Sequence, residues 1–339
     1  MRIAVVGAGA IGGYLGARLA LADFEVTFIA RGANLTALQR DGIRLIEADG
    51  THQHVSSVHA FESAADAGPH DVVLLTLKAH QVGAVAASLP TLCHAQTSIV
   101  TMQNGIPWWY FHQHGGAYAG SIVRAADPDG SIAAHIDPAR VIGSVVYPAT
   151  QMVAPAVVQV IEGDRFTLGE LDGNRSPRTV QLAEALQRAG FKTRITGDIR
   201  NEIWLKLWGN LSFNPISALT HATLVDICQF EKTNTLARAM MTEAETIANK
   251  LGVQFKLGID KRIAGVEKVG AHKTSMLQDI ELGRPIELEA LLGAVVELGA
   301  LTETPTPHLQ TVYALASLLA STLNAQRDTL QIQPRAVST

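Results

Sequence analysis

The sequence predicts an α/β N-terminal domain with a mostly parallel sheet, followed by an all-α C-terminal domain. Three observations predict it. Short β-branched runs alternate with helical segments through the first half. A glycine-rich turn separates the first such run from the first helix. Beyond residue 198 apolar residues recur at helical spacing.

The elements follow in order. Residues 3–6 are a buried strand, 10–21 a helix and 25–29 a second strand. Residues 34–40 are helical and 43–46 extended. Residues 71–77 (DVVLLTL) are another buried strand, and 81–89 a helix. Residues 98–102 are a strand ending at Gln103-Asn104-Gly105. Such alternation implies right-handed βαβ units. From 120 to 169 the texture changes. Runs 121–125, 141–147, 157–161 and 165–168 are short strands, expected to extend the same sheet in antiparallel or mixed fashion. A helix at 177–189 and a strand at 192–195 complete this part. Helices are then expected at 199–219, 233–251, 259–267, 286–298 and 309–323. This organisation gives an α/β domain at 1–197, a helical domain at 198–325 and a polar, flexible tail at 326–339.

Composition narrows the function classes. The chain has 339 residues, 47% hydrophobic and 17% charged, as in ordinary globular proteins of about two domains. With 27 basic and 31 acidic residues and no basic run, it does not fit a general nucleic-acid binder. Two distant cysteines, Cys93 and Cys228, make no disulfide framework and suit a reducing, cytoplasmic setting. The N-terminal apolar stretch superficially resembles a leader peptide. Five glycines (Gly7, Gly9, Gly12, Gly13, Gly16) and Arg18 argue against it. No window is apolar for long enough to suggest a membrane span.

Gly7-Ala8-Gly9-Ala10-Ile11-Gly12 matches G-x-G-x-x-G. It follows a strand and opens a helix, the context in which this pattern marks a Rossmann-like dinucleotide site. Gly7 permits the turn, Gly9 admits a pyrophosphate and Gly12 lets the helix approach the sheet. The helix N-terminus then faces the phosphates. Where NAD is bound, an acid usually ends the second strand. Here Arg31 stands there instead, and a guanidinium suits a 2′-phosphate, which favours NADP(H).

In the second half, Lys206, Asn210 and Asn214 recur every four residues, so they share one helix face. Trp204, Leu205, Leu207, Trp208, Leu211 and Phe213 surround them. A lysine in such surroundings has a lowered pKa and can protonate a carbonyl oxygen that becomes an alkoxide. Asn210 and Asn214 can orient the substrate or the ammonium. A structural polar stripe is the competing reading. Ser275 can donate to a carboxylate. Glu287 and Glu289 follow Pro285 near a helix start, where acids are favoured; dipole compensation is preferred for Glu289. His52-x-His54 and His112-x-His114 lack a third ligand and read as solvated loop histidines, so no metal is expected. Trp204 and Trp208 are expected in the core.

Together these segments resemble the ketopantoate reductase family over nearly the whole chain. The marks are Gly7 to Gly12, Leu77-Lys78-Ala79-His80-Gln81, Gln103-Asn104-Gly105, Trp204-x-Lys206-Leu207, Asn210, Asn214, Ser275-Met276-Leu277-Gln278-Asp279 and Gly283-Arg284-Pro285-Ile286-Glu287. The resemblance implies NADPH-dependent reduction of a 2-oxo acid, 2-dehydropantoate, to a 2-hydroxy acid. It implies Lys206 as proton donor and Glu287 as the group holding the substrate hydroxyl near the nicotinamide ribose. It implies Asn104, Asn210, Asn214, Lys273, Thr274 and Ser275 as substrate contacts. Lys78, Asn104 and Ala149 are implied as further cofactor contacts. Substrate and nicotinamide are then expected to meet between the two domains.

Two departures stand out. Some members carry another asparagine about ten residues beyond Asn214, where this chain has Leu224-Val225. Asn104 is followed by the bulky Ile106-Pro107-Trp108-Trp109-Tyr110. A sibling reductase of another 2-oxo or β-oxo acid, and an NADP(H)-sensing protein without turnover, remain as alternatives. The apolar faces of the helical domain also suit a homodimer.

Overall fold

The computed structural model describes residues 1–326. The tail expected at 326–339 lies, after Gln326, outside the described residues. The chain divides into two compact units between Ile203 and Trp204.

The first unit begins β1 (Arg2–Val6), α1 (Ala10–Leu21), β2 (Glu25–Ile29), α2 (Gly32–Asp41), β3 (Ile43–Ile46), β4 (His52–Val55) and β5 (His59–Phe61). It continues α3 (Ala64–Ala67), β6 (His70–Leu75), α4 (Ala79–Ala86), β7 (Cys93–Thr101) and α5 (Ser131–His135). It ends β8 (Val141–Val146), β9 (Ala149–Ala154), β10 (Val157–Glu162), β11 (Arg165–Glu170), α6 (Pro177–Arg188) and β12 (Lys192–Ile195).

Eight strands form one sheet in the order β12-β11-β8-β7-β6-β1-β2-β5. All its pairs are parallel except β11 with β8. Val5 of β1 registers with Phe28 on one side and Leu74 on the other. Ile3, Val5, Phe28 and Leu74 are wholly buried, with Leu15 and Leu19 of α1 in the same core. A strand covered on both faces must be apolar throughout, which is why these runs do not alternate.

Three expectations fail here. Residues 121–125 form no strand; they lie in loop and turn. Residues 157–161 are a strand, but β10 does not extend the main sheet. It joins a second sheet, β4-β3-β10-β9, that also takes residues 43–46. Parallel pairing of β10 with β3 spans more than a hundred residues, so no local pattern announces it. His52 and His54 belong to a strand rather than a loop. His54 Nε2 lies 2.7 Å from the Asp41 carbonyl. Among the described residues, no group of three or more His, Cys, Asp or Glu side chains is placed to hold a metal.

The second unit is helical. α7 (Ile199–Thr220) carries the division between the units within it. α8 (Leu224–Gln229), α9 (Glu231–Lys250), α10 (Ile259–Glu267), α11 (Ser275–Glu281), α12 (Ala294–Leu301) and α13 (Pro307–Ala325) follow. Trp204 and Trp208 are fully buried. Trp208 Nε1 donates to the Met241 carbonyl at 2.8 Å, and its ring stacks on Phe255. Glu243 of α9 accepts the backbone N–H groups of His308 and Leu309, capping α13 from a neighbouring helix.

The helix expected at 286–298 is not continuous. Residues 284–287 are irregular, and Glu289–Gly293 form a π turn whose closing bond runs from the Ala294 N–H to the Glu289 carbonyl. Pro285 removes a donor and holds Arg284 out of helical geometry. No helix of the described residues is long and apolar enough to cross a membrane.

Candidate active site

The candidate nucleotide site is built where parallel strands end. β7, β6, β1 and β2 lie side by side, and their C-terminal ends carry Gln103-Asn104, Leu77-Lys78, the glycine turn and Arg31. Ligands of open α/β sheets bind outside such ends.

Gly7 has φ +99°, a conformation that side chains resist, and a Cβ there would meet Leu77 at 2.7 Å. A Cβ on Gly12 would stand 2.1 Å from the Gly7 carbonyl oxygen. At Gly9, by contrast, nothing beyond its own chain neighbours lies within 4 Å of a Cβ position. The backbone is therefore bare on the side where a pyrophosphate would approach. The Gly13 N–H donates to the Gly9 carbonyl. The N–H groups of Ala10, Ile11 and Gly12 thus precede the first helical bond of α1.

The carbonyls of the turn are held by side chains. Thr76 Oγ1 donates to the Gly7 oxygen at 2.7 Å, with the Val6 oxygen at 3.1 Å. Asn34 Nδ2 donates to the Ala8 oxygen at 2.5 Å. Neither Thr76 nor Asn34 was legible as a site residue. Thr76 reads as one more residue of a buried strand, and Asn34 as an ordinary helix residue.

Arg31 is exposed, extended and immediately ahead of α2. Lys78 is half-buried and precedes α4, its N–H donating to Gln81 Oε1 at 3.1 Å. Gln103 Nε2 donates to the Leu75 and Leu77 carbonyls, tying the end of β6 to the segment leading to Asn104. Ala149 opens β9 of the smaller sheet, three residues beyond the C-terminal end of β8, which runs parallel to β7. This donor set fits a phosphorylated dinucleotide: an open glycine backbone, free-facing helix N–H groups and a cation after β2.

The second unit holds the candidate acid–base residues. Lys206, Asn210 and Asn214 lie on one face of α7. Asn214 is buried, Lys206 and Asn210 half-buried. Pro215 sits inside the helix, so the Leu211 carbonyl loses its usual backbone donor between the two asparagines. Burial pushes the Lys206 ammonium down to about 8, and the Glu287 carboxylate opposes that shift. Two residues 81 positions apart in sequence are thereby brought into electrostatic contact.

Residues 273–275 have divided tasks. Lys273 is exposed and bonds Glu281 at 2.8 and 3.0 Å. Thr274 is buried, and its hydroxyl accepts the Leu277 N–H as the cap of α11. Ser275 is exposed at the first position of that helix. Glu289 opens the π turn and accepts a hydrogen bond from Tyr313 at 2.7 Å, a contact beyond the dipole compensation expected for it.

Two family models match the chain. One, described as "Ketopantoate reductase PanE/ApbA", matches residues 3–114. Its companion, "Ketopantoate reductase PanE/ApbA C terminal", matches residues 198–320. A 2-dehydropantoate 2-reductase of Mesorhizobium japonicum is 52% identical over 321 residues, covering 94% of this chain and 98% of the relative. One from Archaeoglobus fulgidus is 29% identical, covering 88% and 90%. A solved structure from Ralstonia solanacearum has a TM-score of 0.91 at 40% identity, covering 95% of this chain and 98% of that one. The 2-dehydropantoate 2-reductase structure from Geobacter metallireducens has a TM-score of 0.81 at 27% identity, covering 94% and 100%. The glycine turn, the lysine–asparagine face and these matches along nearly the full length agree: the chain belongs to the ketopantoate reductase family.

Proposed function

We propose that this protein reduces 2-dehydropantoate to pantoate with NADPH, using Lys206 as the proton donor. The observation that carries the reading is Lys206 set on one face of α7 with Asn210 and Asn214, its ammonium lowered to about 8 by burial and within electrostatic reach of the Glu287 carboxylate. A general acid works best with a pKa near the working pH. The activity named for the Mesorhizobium relative, at 52% identity, supports the substrate.

The residues of the glycine turn would hold the pyrophosphate, and Arg31 the 2′-phosphate. NADPH, when bound, supplies a hydride to the carbonyl carbon. Lys206 gives its proton to the carbonyl oxygen as that oxygen gains charge, and solvent later restores the ammonium. One hydride and one proton complete the alcohol. Asn210 and Asn214, one and two turns along the same face, offer amide donors to fix the substrate relative to Nζ. Glu287 accepts from the substrate hydroxyl and keeps Lys206 charged below pH 8. Ser275 donates toward the carboxylate, with Thr274 holding its helix end in place. Two free cysteines, Cys93 and Cys228, accord with a cytoplasmic setting.

The test follows NADPH absorbance with 2-dehydropantoate, using wild type and Lys206→Ala. Oxidation by wild type and loss of at least a hundredfold in the variant is the expected result. NADPH binding without oxidation of any 2-oxo acid in a panel would overturn the enzyme reading. Oxidation of another 2-oxo acid alone would overturn the substrate. Equal turnover in Lys206→Ala would remove that lysine from the reaction.

A further inference from the structure

Asn34 joins three segments that are distant in sequence. It lies in the first turn of α2, three residues after Arg31. Its Nδ2 donates to the Ala8 carbonyl at 2.5 Å, and its Oδ1 accepts the Ala156 N–H at 2.7 Å. Ala156 is buried at the turn between β9 and β10, with φ +56°. One carboxamide thus bonds the glycine turn on one side and the second sheet on the other.

The bond to Ala8 matters for what the glycine turn can bind. A backbone carbonyl aimed at a phosphate repels it, whereas an N–H attracts it. The Gly7 oxygen is held by Thr76 from the side of β6. The Ala8 oxygen is held by Asn34 from the side of α2. With both carbonyls drawn aside, the N–H groups at the start of α1 form the anion-facing edge of the turn. Since Asn34 shares a helical turn with Arg31, it also fixes the spacing between the cation and the glycine turn.

We propose that Asn34 is a positioning residue for the dinucleotide: it turns the Ala8 carbonyl away from the pyrophosphate and sets the distance from the glycine turn to Arg31. This rests on the NADP(H) reading above. Asn34 itself touches no reacting atom.

The experiment compares wild type, Asn34→Ala and Asn34→Asp. It measures Kd for NADPH and for adenosine 2′-phosphate, KM and kcat, and Tm. Losing one neutral hydrogen bond weakens an interaction about two- to twelvefold. Asn34→Ala should therefore raise NADPH Kd and KM by about that factor and leave kcat within twofold. Binding of adenosine 2′-phosphate, which has no pyrophosphate, should stay near wild type. Asn34→Asp keeps an acceptor for the Ala156 N–H but cannot donate to Ala8. It should raise NADPH Kd at least as much as Asn34→Ala while holding the wild-type Tm more closely. Wild-type NADPH affinity in either folded variant overturns the proposal. So does equal weakening of both ligands together with a lowered Tm, the signature of a merely structural role. Failure of wild type to bind NADPH would instead refute the cofactor reading on which the proposal stands.

Discussion

The Thr76 hydroxyl, at the end of β6, donates to the Gly7 carbonyl at 2.7 Å. The same hydroxyl oxygen and the same carbonyl would lie 2.4 and 2.1 Å from a Cβ on Gly12. The first helix is therefore seated against the turn with no room for one methyl group. Gly9 has no such neighbour. Two glycines of one motif thus do different work, one in packing and one in admitting a ligand.

Substitution separates them. Gly12→Ala forces backbone to move and should cost about 1–3 kcal/mol, seen as a lowered Tm. Gly9→Ala should keep the wild-type Tm and raise the KM for NADPH, because the added methyl stands where the pyrophosphate would lie. Thermal melts beside cofactor titrations check both. Equal Tm losses in the two variants would contradict this division.

Arg31 is exposed and stands just ahead of α2. Its replacement by alanine should weaken NADPH about tenfold, toward the low end for a charged hydrogen bond at a solvated site. NADH lacks the 2′-phosphate and should change little. The ratio of the two KM values reads this directly. An unchanged ratio would leave Arg31 with no part in cofactor choice.

Lys206 links activity to pH and to stability. Its folded pKa is lowered from 10.5 to about 8. The proton donor is the ammonium, so kcat for reduction should fall as pH rises through 8, about tenfold per unit beyond it. The stability sign is the opposite. Between pH 8 and 10.5 the unfolded chain binds the extra proton, so stability rises with pH across that window. Below it the buried ammonium is a standing cost. Lys206→Met should therefore abolish turnover and raise stability at pH 7 by about 1–3 kcal/mol. Denaturant melts at pH 7 and 10 test this. A variant less stable than wild type at pH 7 would refute it.

His70 should govern part of the acid limb. It is fully buried at the start of β6. Burial pushes its pKa below the ordinary 6.5, while the Gly68 carbonyl, Glu25 and Asp71 oppose the shift and Arg2 adds to it. Just below pH 6.5 the unfolded chain binds the additional proton. Stability should fall as pH drops through 6.5 and level off, for this group, below the folded pKa. His70→Gln should flatten the slope of Tm against pH between 5 and 6.5. An unchanged slope would exclude His70 as its source.

The sequence by itself determined the parts whose physics is local. The G-x-G-x-x-G turn, the absence of an acid after β2 and the i, i+4, i+8 spacing of Lys206, Asn210 and Asn214 depend on neighbours within a few turns of chain. So do the continuous apolar strands of the main sheet, because burial on both faces leaves its mark residue by residue. Only the tertiary structure decided the long-range pairings. It placed β10 beside β3, brought Glu287 to Lys206, and used Thr76 and Asn34 to hold carbonyls of the glycine turn. It also broke the helix after Pro285 into a π turn closed by an i→i−5 bond. Apart from that π turn, whose closing bond is local, each of these depends on a partner far along the chain, and a hydrogen bond or a pKa shift is a property of the pair.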